Sequence, residues 1–136
     1  IAKESGLGWS TLTVDSSAGN DNNDIANDVT NFEFATPRGV QDITGVDKSA
    51  MERLLLLADF SIDLNGVFND AASKSHATFK TVPSTSVTRT VALGVSGQTL
   101  STECLFTDYA LTRANDGGFT WKAPGVLADG AVPTWS

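Results

Sequence analysis

The 136-residue chain carries nine Lys and Arg against sixteen Asp and Glu, a formal charge of −7. That length suits one domain able to bury its own core, and 40% apolar residues exclude a disordered polymer. No run of about 18 apolar residues reads as a membrane helix, and the single cysteine, Cys104, excludes an internal disulfide.

The acidic balance also speaks against nucleic-acid adhesion, which needs Lys and Arg converging on phosphate; the nine cations here are scattered. Polarity is carried by 29 Ser and Thr more than by ions, which make up 18% of the chain. Thr, Val and Phe favour strands and singly spaced glycines suit turns, so an all-β fold is expected. A surface so poor in ions is also what a protein has when neighbours cover it.

In chain order, Trp9 to Val14 reads as a short strand with Leu12 and Val14 on one face. Residues 15–31 hold four Asp, five Asn and no cation, and such side chains make turns by bonding their own backbone. Asp21, Asn23 and Asp24 offer oxygens to calcium, but the spacing of an EF-hand is absent, and a polar mobile loop is the expectation. Residues 28–35 alternate, with Phe32 and Phe34 opposite Asn31 and Glu33. Pro37 and Gly39 then turn the chain into residues 40–53, which mix charges of both signs without a period. This stretch reads as a long excursion from the sheet.

Residues 54–66 decide between helix and strand. At helical spacing the faces are mixed. At period two, Leu54, Leu56, Ala58, Phe60, Ile62 and Leu64 are all apolar, while Asp59, Ser61, Asp63 and Asn65 are all polar. The spacing therefore predicts one long strand, ended by Asn65-Gly66. Residues 70–81 are predicted as the one helix, with Asp70 as cap, Ala72, His76 and Phe79 on one face, and Pro83 as the stop. Strands resume at 86–97, where Val87, Val91, Leu93 and Val95 share a face, and at 99–113, whose apolar phase shifts near Cys104 to Phe106 as at a bulge. Asn115 to Gly118 signals a hairpin returning through Phe119, Trp121 and Ala123.

Chemical motifs are sparse. His76 is the only histidine and has no nucleophile motif around it, so a packed helix-face imidazole is expected. Cys104 sits among apolar neighbours and reads as a small buried hydrophobe. Asp59 and Asp63, with Glu33 or Glu103, have the composition of a glycosidase pair, but an alternating strand needs a polar face in any case. Trp9, Trp121 and Trp135 could form a sugar-stacking platform, which makes a carbohydrate-binding β-sandwich the alternative reading. Trp135 near the end of the sequence suits an anchor on a neighbouring molecule. No cofactor or metal site is predicted, and the chain is not expected to be an enzyme.

Taken in order, DVTNFEF, DITGVDKSAMERLLLLADFSIDLNGVFND with its following His-containing helix, RTVALGVSG and APGVLADGAVPTW resemble the major tail tube protein of long non-contractile-tailed bacteriophages, especially those of actinobacterial hosts. The resemblance implies a mainly β fold, a β-barrel or two-sheet sandwich with one flanking helix at about 70–81, similar to type VI secretion tube subunits. It implies one domain over 1–136, with an N-terminal arm at 1–8, an inter-ring loop at about 36–53 and a C-terminal arm at 124–136. It further implies hexameric rings of this chain, stacked into a hollow tube in the virion after assembly in the host cytoplasm. Partners would be a tape-measure protein, a tail terminator and tail-tip proteins, with DNA passing through without adhering and no membrane binding.

A conduit must not trap DNA, so an acidic or hydroxyl wall suits its lumen. The candidates are Asp59, Ser61, Asp63 and Asn65, with Glu33 from the preceding strand. Candidate subunit contacts are Arg38, Asp42, Lys48 and Arg53 in the excursion and Trp135 in the terminal arm.

Overall fold

The structure, a computed structural model, describes residues 3–136. Its strands are β1 (Trp9–Val14), β2 (Asn23–Asp24), β3 (Val29–Ala35), β4 (Arg38–Asp42), β5 (Arg53–Ala58), β6 (Ser61–Val67), β7 (Arg89–Val95), β8 (Gln98–Phe106), β9 (Ala110–Arg113) and β10 (Phe119–Leu127), with one helix, α1 (Ser75–Phe79). Eight strands form one antiparallel sheet in the order β2-β1-β7-β8-β10-β6-β3, and β9 lies beside the first half of β10. The mainly β class expected from composition is what the chain forms. The sheet coils until its far strands face one another, the Trp9 ring of β1 lying 4.2 Å from Phe32 of β3. β1 and β3 are not paired, so the sheet is not hydrogen-bonded into a closed barrel.

Alternation builds the core. Ile62 and Leu64 of β6, Val91 and Leu93 of β7, Leu100 and Cys104 of β8, and Trp121 and Ala123 of β10 all point inward and are buried. The helix adds Phe79, whose ring meets Phe106 edge-on at 5.0 Å and lies 5.3 Å from Trp121. The run predicted at 99–113 is broken at Thr107–Tyr109, where β8 hands its place beside β10 to β9.

The helix is shorter than the predicted 70–81. Ser73 takes a positive φ of 61°, a left-handed step that a helix cannot contain, and the Asn69 side chain turns the chain by accepting from the Ala71 amide. Asp70 is not the cap. Instead Asp28, 47 residues upstream, accepts from the Ser75 amide at 3.1 Å and from Asn69 Nδ2 at 2.9 Å. Gly66 passes directly over this junction. A Cβ there would stand 2.0 Å from the Asp28 carbonyl oxygen and 2.8 Å from the Trp121 ring. Gly66→Ala is therefore expected to cost about 3 kcal/mol, read as a fall in Tm of roughly 10 °C. An unchanged melt would mean that β6 does not lie against Asp28.

The predicted single strand through 54–65 is interrupted. β5 and β6 are separated by Asp59–Phe60, and β3 and β4 by Thr36–Pro37. The pairing register nevertheless continues across the break: Ala35 faces Ser61, and Arg38, three residues on, faces Ala58. The Asp59 amide donates to the Pro37 carbonyl at 3.1 Å in between. β3–β4 and β5–β6 are thus one long hairpin with a kink, and its β4–β5 half is a two-stranded ribbon, separate from the main sheet. Much of the stretch expected as a loop at 36–53 is accordingly the first arm and tip of this ribbon. At the other end, Pro124 to Leu127, expected in the C-terminal arm, complete β10.

Candidate assembly surfaces

The ribbon is the most unusual surface of the molecule. Leu54, Leu55, Leu56 and Leu57 occupy consecutive positions of β5, and all four are exposed, Leu57 to 91%. With Val40, Ile43, Val46 and Met51 they make eight of the sixteen large apolar residues that stand exposed among the described residues. Soluble monomers rarely concentrate apolar surface in this way. The ribbon is nonetheless well knitted. Asp42 accepts from the amide and hydroxyl of Thr44 at 2.9 and 2.6 Å, which holds its carboxyl below the ordinary range. Thr44 in turn accepts from the Glu52 amide at 2.8 Å, closing the base of the tip.

Of the predicted contact residues, Arg38 donates from Nε to the Leu56 carbonyl at 2.9 Å, and Asp42 faces Arg53 across the ribbon. Lys48 stands at the tip, 3.9 Å from Asp47. A groove of about 610 Å³ runs along the base of the ribbon between Arg38, Leu55 to Ala58, and Val132 of the C-terminal arm.

A second surface is polar. Glu33 faces Asp63 directly across β3 and β6, and Asn31 faces Asn65. Asn65 also faces Lys122 of β10, and these side chains surround a shallow polar depression of about 280 Å³. Ser61 shares the same outward side of β6. Four of the five predicted lumen candidates, Glu33, Ser61, Asp63 and Asn65, thus share one outer face. Asp59 lies just before β6, exposed at the kink, where its Oδ1 accepts from the Phe60 amide at 2.7 Å. Sequence reasoning missed Lys122, although the inward parity of Phe119, Trp121 and Ala123 assigns it to the opposite face.

The C-terminal arm returns to the body. Ser136 exchanges two backbone hydrogen bonds of 2.9 Å with Thr99, and Trp135 bridges Leu100. The Trp135 ring lies 6.0 Å from Phe34 and remains 46% exposed. The three tryptophans do not form a platform. Trp121 is buried, with Nε1 donating to the Val67 carbonyl at 3.0 Å, and Trp9 packs against Phe32 and Phe34 at the seam.

The remaining candidates are occupied structurally. His76 Nδ1 lies 3.2 Å from the Tyr109 hydroxyl and its ring 4.8 Å from that of Phe68; burial pushes the Tyr109 phenol up to about 12. Burial, reinforced by Glu103 and Asp129, pushes the Cys104 thiol up to about 12 as well, which leaves it unreactive. In the Asx-rich segment the carboxylates serve their own loop. Asp15 accepts from the amides of Asn20 and Asn22, and Asp21 from the amide and hydroxyl of Ser16. Burial works to raise Asp21, but those bonds outweigh it and hold the carboxyl below its usual range. The segment is a turn whose carboxylates bond its own backbone, as Asx-rich sequence is expected to do.

No protein-family model matches the chain, and no curated protein does. Solved structures do share its fold. A chain in the virion of a native gene transfer agent particle superposes with a TM-score of 0.77 at 14% identity, covering 97% of this chain and 99% of its own. A chain in the tail of an empty gene transfer agent particle, refined helically with C6 symmetry, superposes with a TM-score of 0.72 at 17% identity, covering 98% of each. This chain therefore has a fold found in the subunits of such particles.

Proposed function

We propose that the chain is a non-catalytic structural subunit of a phage-like tail, which self-assembles into hexameric rings stacked as a hollow tube that conducts a genome. The observation that carries this reading is the ribbon: a well-ordered hairpin that extends the hydrophobic pattern of the body beyond its own core. Such a surface calls for a neighbour. Support comes from the fold shared over nearly the whole length with a subunit of a C6-symmetric tail. In the tube, the polar β3–β6–β10 face lines the lumen, and the ribbon with Arg38, Asp42, Lys48 and Arg53 lies at subunit contacts. A tape-measure protein, a terminator and tip proteins complete the assembly within the virion.

Light scattering on the purified chain across concentration and salt tests this. The expected result is a species near six times 14.3 kDa, growing to much larger masses. A monomer throughout would overturn the proposal. Trp135 refines it. Half exposed although its backbone bridges Leu100 of β8, it is positioned to meet a neighbour. Trp135→Ala is expected to weaken assembly by about 2 kcal/mol per contact while leaving the subunit's melt nearly unchanged. A sharp fall in subunit Tm, with assembly intact, would make Trp135 a purely internal brace.

A further inference from the structure

We propose that Met51 is an oxidation switch: a peroxide converts its thioether to the sulfoxide in the free subunit, and the sulfoxide blocks assembly until it is reduced. The block on assembly rests on the tube reading and adds to it; the chemistry at Met51 does not.

The chain has two sulfurs, Met51 and Cys104. Cys104 is fully buried on β8, and burial pushes its thiol up to about 12, so it holds almost no thiolate to attack a peroxide. Met51 is the opposite case. It stands 55% exposed just before β5, and a thioether needs no deprotonation to react. Oxidation of sulfur in this chain is thereby directed to one side chain. Sulfur takes one oxygen of hydrogen peroxide, the S–O bond forming as the O–O bond breaks. The proton of the transferred oxygen leaves with the hydroxide as water. Sulfur gives up two electrons and the peroxide accepts the same two.

The position of Met51 gives the change a consequence. Its sulfur lies 3.9 Å from Thr44 Oγ1. That hydroxyl is the hub of the ribbon's tip: it accepts from the Glu52 amide at 2.8 Å and donates to Asp42 Oδ1 at 2.6 Å, with the Glu52 carbonyl 3.2 Å away. A thioether is a weak acceptor and leaves this arrangement alone, whereas a sulfoxide oxygen is polar. Beside Thr44 it competes with Asp42 for the one hydroxyl proton and loosens the tip.

The sulfoxide also makes one of the ribbon's eight exposed apolar residues polar. A neighbour that covers it then desolvates a polar group, and the penalty falls on assembly alone, because in the free subunit this side chain meets water. The other seven are Leu, Ile or Val, so apolar packing does not by itself call for a thioether here.

The test treats purified subunits with hydrogen peroxide, locates the added oxygen by peptide mass spectrometry, and then measures tube formation. Met51 is expected to gain oxygen before any other residue, and the concentration needed for tubes to rise about tenfold or more. Methionine sulfoxide reductases, one for each epimer, should restore assembly. Met51→Leu should assemble as the parent does and continue to do so after peroxide. Untreated Met51→Gln should assemble as poorly as the oxidised chain. Unimpaired tubes from chains oxidised at Met51, or loss of tubes from peroxide-treated Met51→Leu, would overturn the switch and leave the tube reading standing. Absence of tubes from the untreated parent would overturn the tube reading and the block together. Hydrogen exchange at the Glu52 amide would then still decide the local effect: a rate about tenfold faster after oxidation is expected, and an unchanged rate would overturn it.

Discussion

Replacing Arg89 with methionine is expected to destabilise the subunit by about 3 kcal/mol, lowering Tm by roughly 10 °C. Arg89 is 2% exposed, yet it is a cation on the inward face of β7. Its Nη1 donates to the Thr78 carbonyl at 2.7 Å and the Asp15 carbonyl at 3.2 Å, and Nη2 donates to the Thr81 hydroxyl at 3.1 Å. One fork thereby joins the end of α1, the turn after it and the start of the Asx-rich segment. Burial disfavours its charge, and nearby Asp21 and Asp15 restore part of the balance. Methionine fills much of the volume but leaves buried carbonyls without a donor, and each such loss is costly. Arg89→Lys should fall between the two, since an ammonium keeps the charge without the planar fork. A methionine variant melting within about 2 °C of the parent would show that the network contributes little.

The second large effect concerns passage of DNA through the proposed tube. Glu33→Lys combined with Asp63→Lys should leave tubes intact but slow genome delivery by roughly tenfold or more at low salt. Glu33 and Asp63 face each other across β3 and β6, with Lys122 two pleats away on β10. Sixfold repetition would make each a ring of like charge, felt by phosphates within a Debye length of roughly 8 Å. Reversal turns a weakly repelling wall into one with three cations per subunit, repeated at every ring, and many weak phosphate contacts add up. Cross-strand lysines cost about 1 kcal/mol or less, so folding should survive. Asp59 is not the residue to reverse, because at the kink its carboxylate already serves the Phe60 amide. Unchanged delivery through tubes shown to contain both lysines would put this face on the outside.

The features legible in the sequence were those set by local periodicity. The alternation in 61–65 correctly assigned Ile62 and Leu64 to the core and Ser61, Asp63 and Asn65 to the opposite face. Extended back to Leu54, the even-numbered positions stay apolar while Leu55 and Leu57 break the alternation, and the pattern could not reveal that the chain leaves the body at Asp59, whose amide bonds the Pro37 carbonyl across the hairpin. The helix overran for a related reason: its cap, Asp28, comes from 47 residues away, and Ser73 adopts a left-handed conformation that residue type does not announce. Arg89 was readable and overlooked. It occupies the same parity as Val87, Val91, Leu93 and Val95, so the alternation already pointed it inward.

The central claim is that this chain builds a tube of hexameric rings, and electron microscopy of the concentrated protein tests it most directly. The account predicts hollow filaments whose end-on views show six subunits around an open lumen. A field of single, unassociated subunits at high concentration, across salt conditions, would contradict it.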